Sequence, residues 1–128
     1  MSSIEEQAAI EAAKAMRNSY SPYSKFKVGA ALVSADDRIF AGTNVENASH
    51  GLTICAERSA ISAAVTSGVT HFKLLALVSE SDKNILPCGA CLQVLSEFCD
   101  DLEIISINNA GQKDRTSLKE IFPQRFEL

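Results

Sequence analysis

Cys88 and Cys91 stand three residues apart behind Pro87 in the run PCGACLQ, and Cys55 opens a second run, CAERSAISAAVTSG, with Glu57 two residues after it. A Cys-x-x-Cys pair alone fits three chemistries: a redox dithiol, half of a metal site, or two inert core thiols. Both runs have helical composition and begin at their cysteines. Helix N-termini stabilise anions through their free N–H groups and dipole, so these positions favour the thiolate that a metal requires. Cys88 and Cys91 span one first turn and can chelate an ion that Cys55 reaches from the neighbouring helix. Cys99 lies eight residues beyond Cys91, about 12 Å along a continuous helix at ~1.5 Å per residue, too far to join them. It reads as a core thiol, which leaves the fourth coordination position to water. Glu57, in a Cys-x-Glu arrangement, stands beside such a metal yet is free to move protons, giving zinc-activated water and a general acid/base. A redox dithiol would leave Cys55 and Glu57 without a role, and its later facing proline is missing, Pro123 being near the end. Arg58 by default is a solvated helix residue and His71 a loop residue.

Several elements must position these groups. SIEEQAAIEAAKAM opens with a capping box from Ser3 to Glu6 and spaces Ile4, Ala8, Ala12 and Ala15 at helical intervals. SYSPYSKF breaks that period, and KVGAALVSADDRIFAGTNV gives two β-rich runs around Asp36-Asp37, a hairpin. The helix from Cys55 stops at Gly68. FKLLALVSE reads as a buried strand, CGACLQVLSEFC as a helix with Leu92, Leu95 and Phe98 on one stripe, and EIISINN as another strand. A turn at Ala110-Gly111 leads to an edge strand at 113–116, then SLKEIF with a second capping box from Ser117 to Glu120. The order α-β-β-α-β-α-β-β-α predicts a parallel central pair with right-handed crossovers in a mixed sheet of about five strands, covered by helices on both faces. The expected fold is a three-layer α/β/α sandwich. With no repeat, linker or low-complexity tract, residues 1–128 are expected to form a single domain.

Composition narrows the function classes. The 128 residues are 46% hydrophobic with a net charge of -4 and no Lys/Arg run, so the electrostatic footprint of a nucleic-acid binder is missing. The first residues carry acids where a signal peptide would be basic, and their apolar residues are too dispersed for a bilayer span. No membrane or export address is expected, and the cytoplasm is the expected compartment. There, thiols stay reduced and serve metals or catalysis in preference to disulfides.

Three zinc ligands in a [H/C]-x-E and P-C-x-x-C pattern, with the glutamate as proton shuttle, belong to the zinc deaminases of nucleobases. The chain resembles the small cytidine deaminases whose zinc ligands are all cysteines. The likeness runs through SPYSKFKVGAAL, NVENAS, CAERSAI, PCGACLQVLSEF and FPQRF. It implies hydrolytic deamination of cytidine and deoxycytidine to uridine and deoxyuridine with release of ammonia, as in pyrimidine salvage. It also implies one Zn²⁺ per subunit and a homotetramer with active sites near subunit interfaces. Carried over residue by residue, Cys55, Cys88 and Cys91 look like the ligands and Glu57 like the proton shuttle. Phe26 looks like the ring that packs on the pyrimidine, although alone it reads equally as core. Asn44 and Glu46 look like the ribose-binding pair, otherwise a polar loop after a strand. The backbone of Ala56 is similar to the contact to the base carbonyl. Phe126 resembles the C-terminal aromatic that reaches an adjacent subunit's site.

Two positions depart from the family pattern. His50 stands where Tyr is common after ENA, and Cys91-Leu92-Gln93 where CRQ is common. Three thiolates on Zn²⁺ leave a net charge of about -1, which weakens the Lewis acid unless cations offset it. Arg58 then carries that task with one arginine fewer beside it, while His50 is open between a compensating donor and a polar interface residue. A deaminase of another aminopyrimidine nucleoside, such as blasticidin S or an N4-modified cytidine, stays open as an alternative. From another class, so does a non-enzymatic zinc-binding module.

Overall fold

The computed structural model describes residues 3–128. Its elements run α1 (Ile4–Arg17), β1 (Val28–Ser34), β2 (Ile39–Thr43), α2 (Ala56–Thr66), β3 (Phe72–Ser79), α3 (Gly89–Phe98), β4 (Glu103–Ile107), β5 (Lys113–Ser117) and α4 (Leu118–Ile121), the order expected. The strands form one mixed sheet in the order β2-β1-β3-β4-β5, parallel only between β3 and β4. Because β1 runs antiparallel to both neighbours, the carboxyl ends of β2, β3 and β4 emerge at one end of the sheet. The chain leaves β2 for α2 and β3 for α3 there, so both helices begin at that end.

The period-2 alternation of strand side chains splits the core between the two faces. Ala30, Leu32, Leu75, Leu77 and Ile104 pack under Ala60 and Ala64 of α2 and Leu92 and Leu95 of α3. Ala31, Val33, Leu74, Ala76 and Ile105 face Ala8 and Ala12 of α1. With helices on both sides β1 is buried along its whole length, and the architecture is the α/β/α sandwich.

Ser3 caps α1 by accepting the Glu6 N–H at 3.1 Å, and acidic Glu5 and Glu6 in the first turn oppose Lys14 and Arg17 in the last. The packed stripe of this helix steps by four through Ile4, Ala8, Ala12 and Met16. Ala15, expected on it, is only half-buried beside it. Two glycines let helix backbone touch strand backbone. A Cβ on Gly29 would lie 1.8 Å from the Ala12 carbonyl oxygen of α1, and one on Gly42 would lie 2.4 Å from Ala60 N and 2.6 Å from Ala56 O of α2. Gly42 therefore fixes how deeply the helix bearing Cys55 and Glu57 seats on β2.

The segment between β2 and α2, which reads in sequence as a polar loop, is a folded strap. Val45 forms bridges with both Tyr20 and Ile54, and a 3-10 turn covers His50–Leu52. The strap brings Asn44 and Glu46 beside Cys55. At the other terminus Arg125 donates to the Ser96 and Cys99 carbonyls at 2.8 and 2.9 Å, pinning the tail to the end of α3. Among the described residues no helix is long and apolar enough to cross a membrane.

Gly42→Ala is expected to destabilise the protein by about 2–3 kcal/mol in urea unfolding, because the added methyl meets backbone that cannot yield. Gly51→Ala, whose Cβ meets nothing within 4 Å, is expected to leave the midpoint unchanged.

Candidate metal centre and its cleft

Cys55 is the N-cap of α2 and Cys88 the N-cap of α3, and neither side chain caps its own helix. Their sulfurs meet that of Cys91, in the first turn of α3, all within 4.8 Å of one another. The Cys88 and Cys91 sulfurs are 3.6 Å apart. Zn–S bonds of about 2.3 Å in a tetrahedron require sulfurs about 3.8 Å apart, so the donor set and its spacing fit zinc. Cys99 lies outside the cluster, and burial pushes its thiol up to about 11.

Two of these sulfurs, those of Cys55 and Cys91, pull each other's protonation in opposite directions. Cys55 is held down to about 5, first by a hydrogen bond from the Cys91 thiol and then by Arg58. Cys91 is driven far above the usual thiol range by giving that bond and by burial. The Cys55 thiolate forms readily, whereas the Cys91 thiol needs a cation at the centre to give up its proton. Arg58 reaches the cluster through Nη2, 3.5 Å from Cys55 Sγ and 3.3 Å from the Thr53 carbonyl oxygen. Leu92 packs into the core and adds no charge.

Glu57, two residues into α2, is only 6% exposed. Burial, reinforced by the negative Cys55, pushes its carboxyl up to about 7. It lines a cleft of about 270 Å³ together with Cys55, Cys88, Ala56, Phe26, Asn44 and Glu46, all picked out from the sequence. This lies at the small end of the ~300–1,000 Å³ typical of small-molecule pockets. Ser24, Val28, Thr53, Ile85 and Leu86 complete the lining. Sequence reasoning missed them; the one available signal was an aliphatic pair, Ile85-Leu86, in an otherwise polar connection just before PCGAC.

Asn44 and Glu46 do more than face the cleft. The Asn44 Oδ1 accepts from the Val28 N–H at 3.0 Å and the Ser19 hydroxyl at 2.6 Å, and its Nδ2 donates to the Phe26 carbonyl at 2.8 Å. Glu46 accepts from the Tyr23 and Ser24 N–H groups at 3.0 and 3.1 Å and from the Ser24 hydroxyl. The Ser24 hydroxyl holds the Glu46 carboxyl below its ordinary value. Together they brace the turn that presents Phe26, where Lys25 adopts a left-handed φ of 57°. His50 packs edge-on to Tyr23 with ring centroids 6.3 Å apart and does not line the cleft. Phe126 lies away from the cleft of its own chain. Gln93 holds its N–H and carbonyl at 3.3 and 3.1 Å, and it is 71% exposed.

Fold and site define a three-thiol metal centre with a buried carboxyl group beside it, at the carboxyl end of a mixed sheet. Residues 2–117 match the family model for the cytidine and deoxycytidylate deaminase zinc-binding region, and the chain belongs to that family. It is 42% identical to a cytidine deaminase of Sporosarcina psychrophila, over 94% of this chain and 90% of the relative. It is 40% identical to one of Halalkalibacterium halodurans, over 91% and 89%. The crystal structure of cytidine deaminase from Burkholderia pseudomallei superposes with a TM-score of 0.90 at 43% identity, covering 94% of this chain and 98% of that one.

Metal analysis is expected to find zinc in the purified protein and in Cys99→Ala, and to find it largely lost from Cys88→Ala. In metal-free protein, folding binds the Glu57 proton more tightly, so stability falls as pH rises from the unfolded value of 4.5 through the folded value of about 7. Glu57→Gln is therefore expected to stabilise the metal-free protein above pH 7, by on the order of 3 kcal/mol in urea unfolding. The gain should vanish below about pH 4.5, where both forms are neutral.

Proposed function

We propose that the protein is a zinc-dependent cytidine deaminase that hydrolyses cytidine and deoxycytidine to uridine and deoxyuridine with release of ammonia. The observation that carries this reading is a buried carboxyl group, Glu57, opening into the same cleft as a three-sulfur cluster of zinc-binding dimensions. Zinc held by Cys55, Cys88 and Cys91 would supply a water acidic enough to give up a proton near neutral pH. Glu57 takes that proton and delivers it to ring N3, then takes the second proton of the same water oxygen, now bonded to C4, and passes it to the 4-amino group as the C4–N bond breaks. Water's oxygen ends as the new carbonyl at C4, ammonia leaves, and Glu57 returns to its starting state. Burial that lifts a carboxyl toward neutrality suits a group that must both take and give a proton.

In this reading Phe26 packs on the base, and the Ala56 N–H, among the free donors of a helix's first turn, meets the base carbonyl. Asn44 and Glu46 receive the ribose hydroxyls with the second amide N–H and the remaining carboxylate lone pairs. Arg58 offsets the charge of the sulfurs. Among the described residues lining the cleft there is no Lys, Arg or His, while Glu46 and Glu57 both face it. That balance favours an uncharged nucleoside over a nucleoside phosphate. The same reading makes residues 1–128 one catalytic domain of a cytoplasmic homotetramer in pyrimidine salvage. Its pinned tail and exposed ring suit Phe126 to enter an adjacent copy's cleft.

Ammonia release from a panel of aminopyrimidines is the test. Cytidine and deoxycytidine are expected to react well, and free cytosine, CMP, blasticidin S and N4-modified cytidine poorly. Glu57→Gln is expected to retain zinc while losing about a thousandfold or more in kcat. Near-normal turnover by that variant would remove Glu57 from the chemistry.

A further inference from the structure

Between β3 and α3 the chain crosses an irregular stretch, residues 80–88, that supplies Ile85, Leu86 and Cys88 to the cleft. No strand ladder fixes this stretch, so side-chain hydrogen bonds decide where the wall stands. Asn84 uses both amide N–H groups on the neighbouring β4–β5 hairpin, donating to the Ser106 carbonyl at 2.8 Å and the Gln112 carbonyl at 2.9 Å. That hairpin end is stiffened by Asn108, which is 4% exposed. Its Oδ1 accepts from the Ala110 and Gln112 N–H groups at 3.0 Å each, and its Nδ2 donates to Gln112 Oε1 at 2.9 Å and across to the Asp82 carbonyl at 3.1 Å. Asn109 ties the more distant start of the stretch, through its N–H to Ser81 O at 2.9 Å and its Nδ2 to Glu80 O at 3.2 Å.

The hold is graded along the chain. Asn109 fastens residues 80 and 81, Asn108 fastens 82, and Asn84 stands immediately before the apolar pair that faces the cleft. Leu86 is more than half exposed, so packing alone does not fix it. Its place comes from the backbone on either side, the Asn84 clasp before it and Pro87 with Cys88 after it.

We propose that Asn84 is a positioning residue for substrate binding: clasped to the β4–β5 hairpin, it sets the Ile85–Leu86 wall where it can enclose a bound nucleoside. Cys88 is secured separately, as the N-cap of α3 and a member of the sulfur cluster, so loss of the clasp loosens the wall and spares the metal. An aspartate at this position could not donate and would set a carboxylate against two carbonyl oxygens, so it cannot rescue the role.

The assignment rests on the proposed nucleoside deaminase activity, and two measurements separate the two. In steady-state kinetics on zinc-loaded protein with cytidine, Asn84→Ala is expected to raise KM about tenfold with kcat within about twofold, and Asn84→Asp to raise it at least as much. Zinc content should be unchanged. Asn109→Ala, which removes a bond from the same stretch farther from the wall, should leave KM within about twofold, whereas a role in overall stability alone would move both variants alike. Independently of turnover, limited tryptic cleavage after Lys83 should accelerate in Asn84→Ala while cleavage after Lys73, within β3, does not. An unchanged KM, a loss of zinc, or unaltered cleavage after Lys83 would overturn the assignment. Were the wild type to release no ammonia from cytidine, the deaminase reading would fall, and the cleavage contrast alone would decide whether Asn84 holds the wall.

Discussion

Three sulfurs within 4.8 Å of one another pose a charge problem that the rest of the molecule is arranged around. Without a cation the Cys91 proton stays bound, shared in a hydrogen bond with the Cys55 sulfur. Bringing the thiols together requires two helix starts at one end of one sheet. The topology provides this by running β2, β3 and β4 in the same direction, with β1 reversed between β2 and β3. Gly42 then removes the side chain that would hold α2 away from the sheet, and Arg58 contributes the protein's own positive charge.

Polar side chains around the cleft carry two duties at once. Asn44 ties β1 to the Phe26 carbonyl, and Glu46 gathers the backbone around Tyr23 and Ser24, yet both also line the cavity. A group already committed on one side is pre-oriented on the other, which lowers the ordering cost when a ligand arrives. The same economy means that substituting either residue disturbs the floor of the cleft as well as its contacts.

The order of elements was legible because apolar periodicity and caps are local signals: Ser3 and Ser117 start helices where the spacing expects them. The metal trio was legible because Cys-x-Glu and Cys-x-x-Cys each fall at such a start. What could not be read were features made by contacts distant in sequence. The strap through Val45, the brace of Asn44 and the clasp of Asn84 all depend on backbone groups at least nine residues away. A loop rich in Asn and Ser looks the same in sequence whether it is braced or free. The helical stripe of α1 shows a smaller failure. Ala15 and Met16 both suit the period, and only the approach of Ala12 to Gly29 decides which one turns inward.

Helix α3 carries metal-binding cysteines at its first turn and, two residues after Cys91, the glutamine that grips the backbone of Phe126. Its far end receives the Arg125 guanidinium. The helix, about 15 Å long, is thus tied to the C-terminal tail near its start and at its far end. One rigid rod thus links Cys88 and Cys91 to the exposed Phe126 ring, so a shift of either end of α3 would be felt at the other.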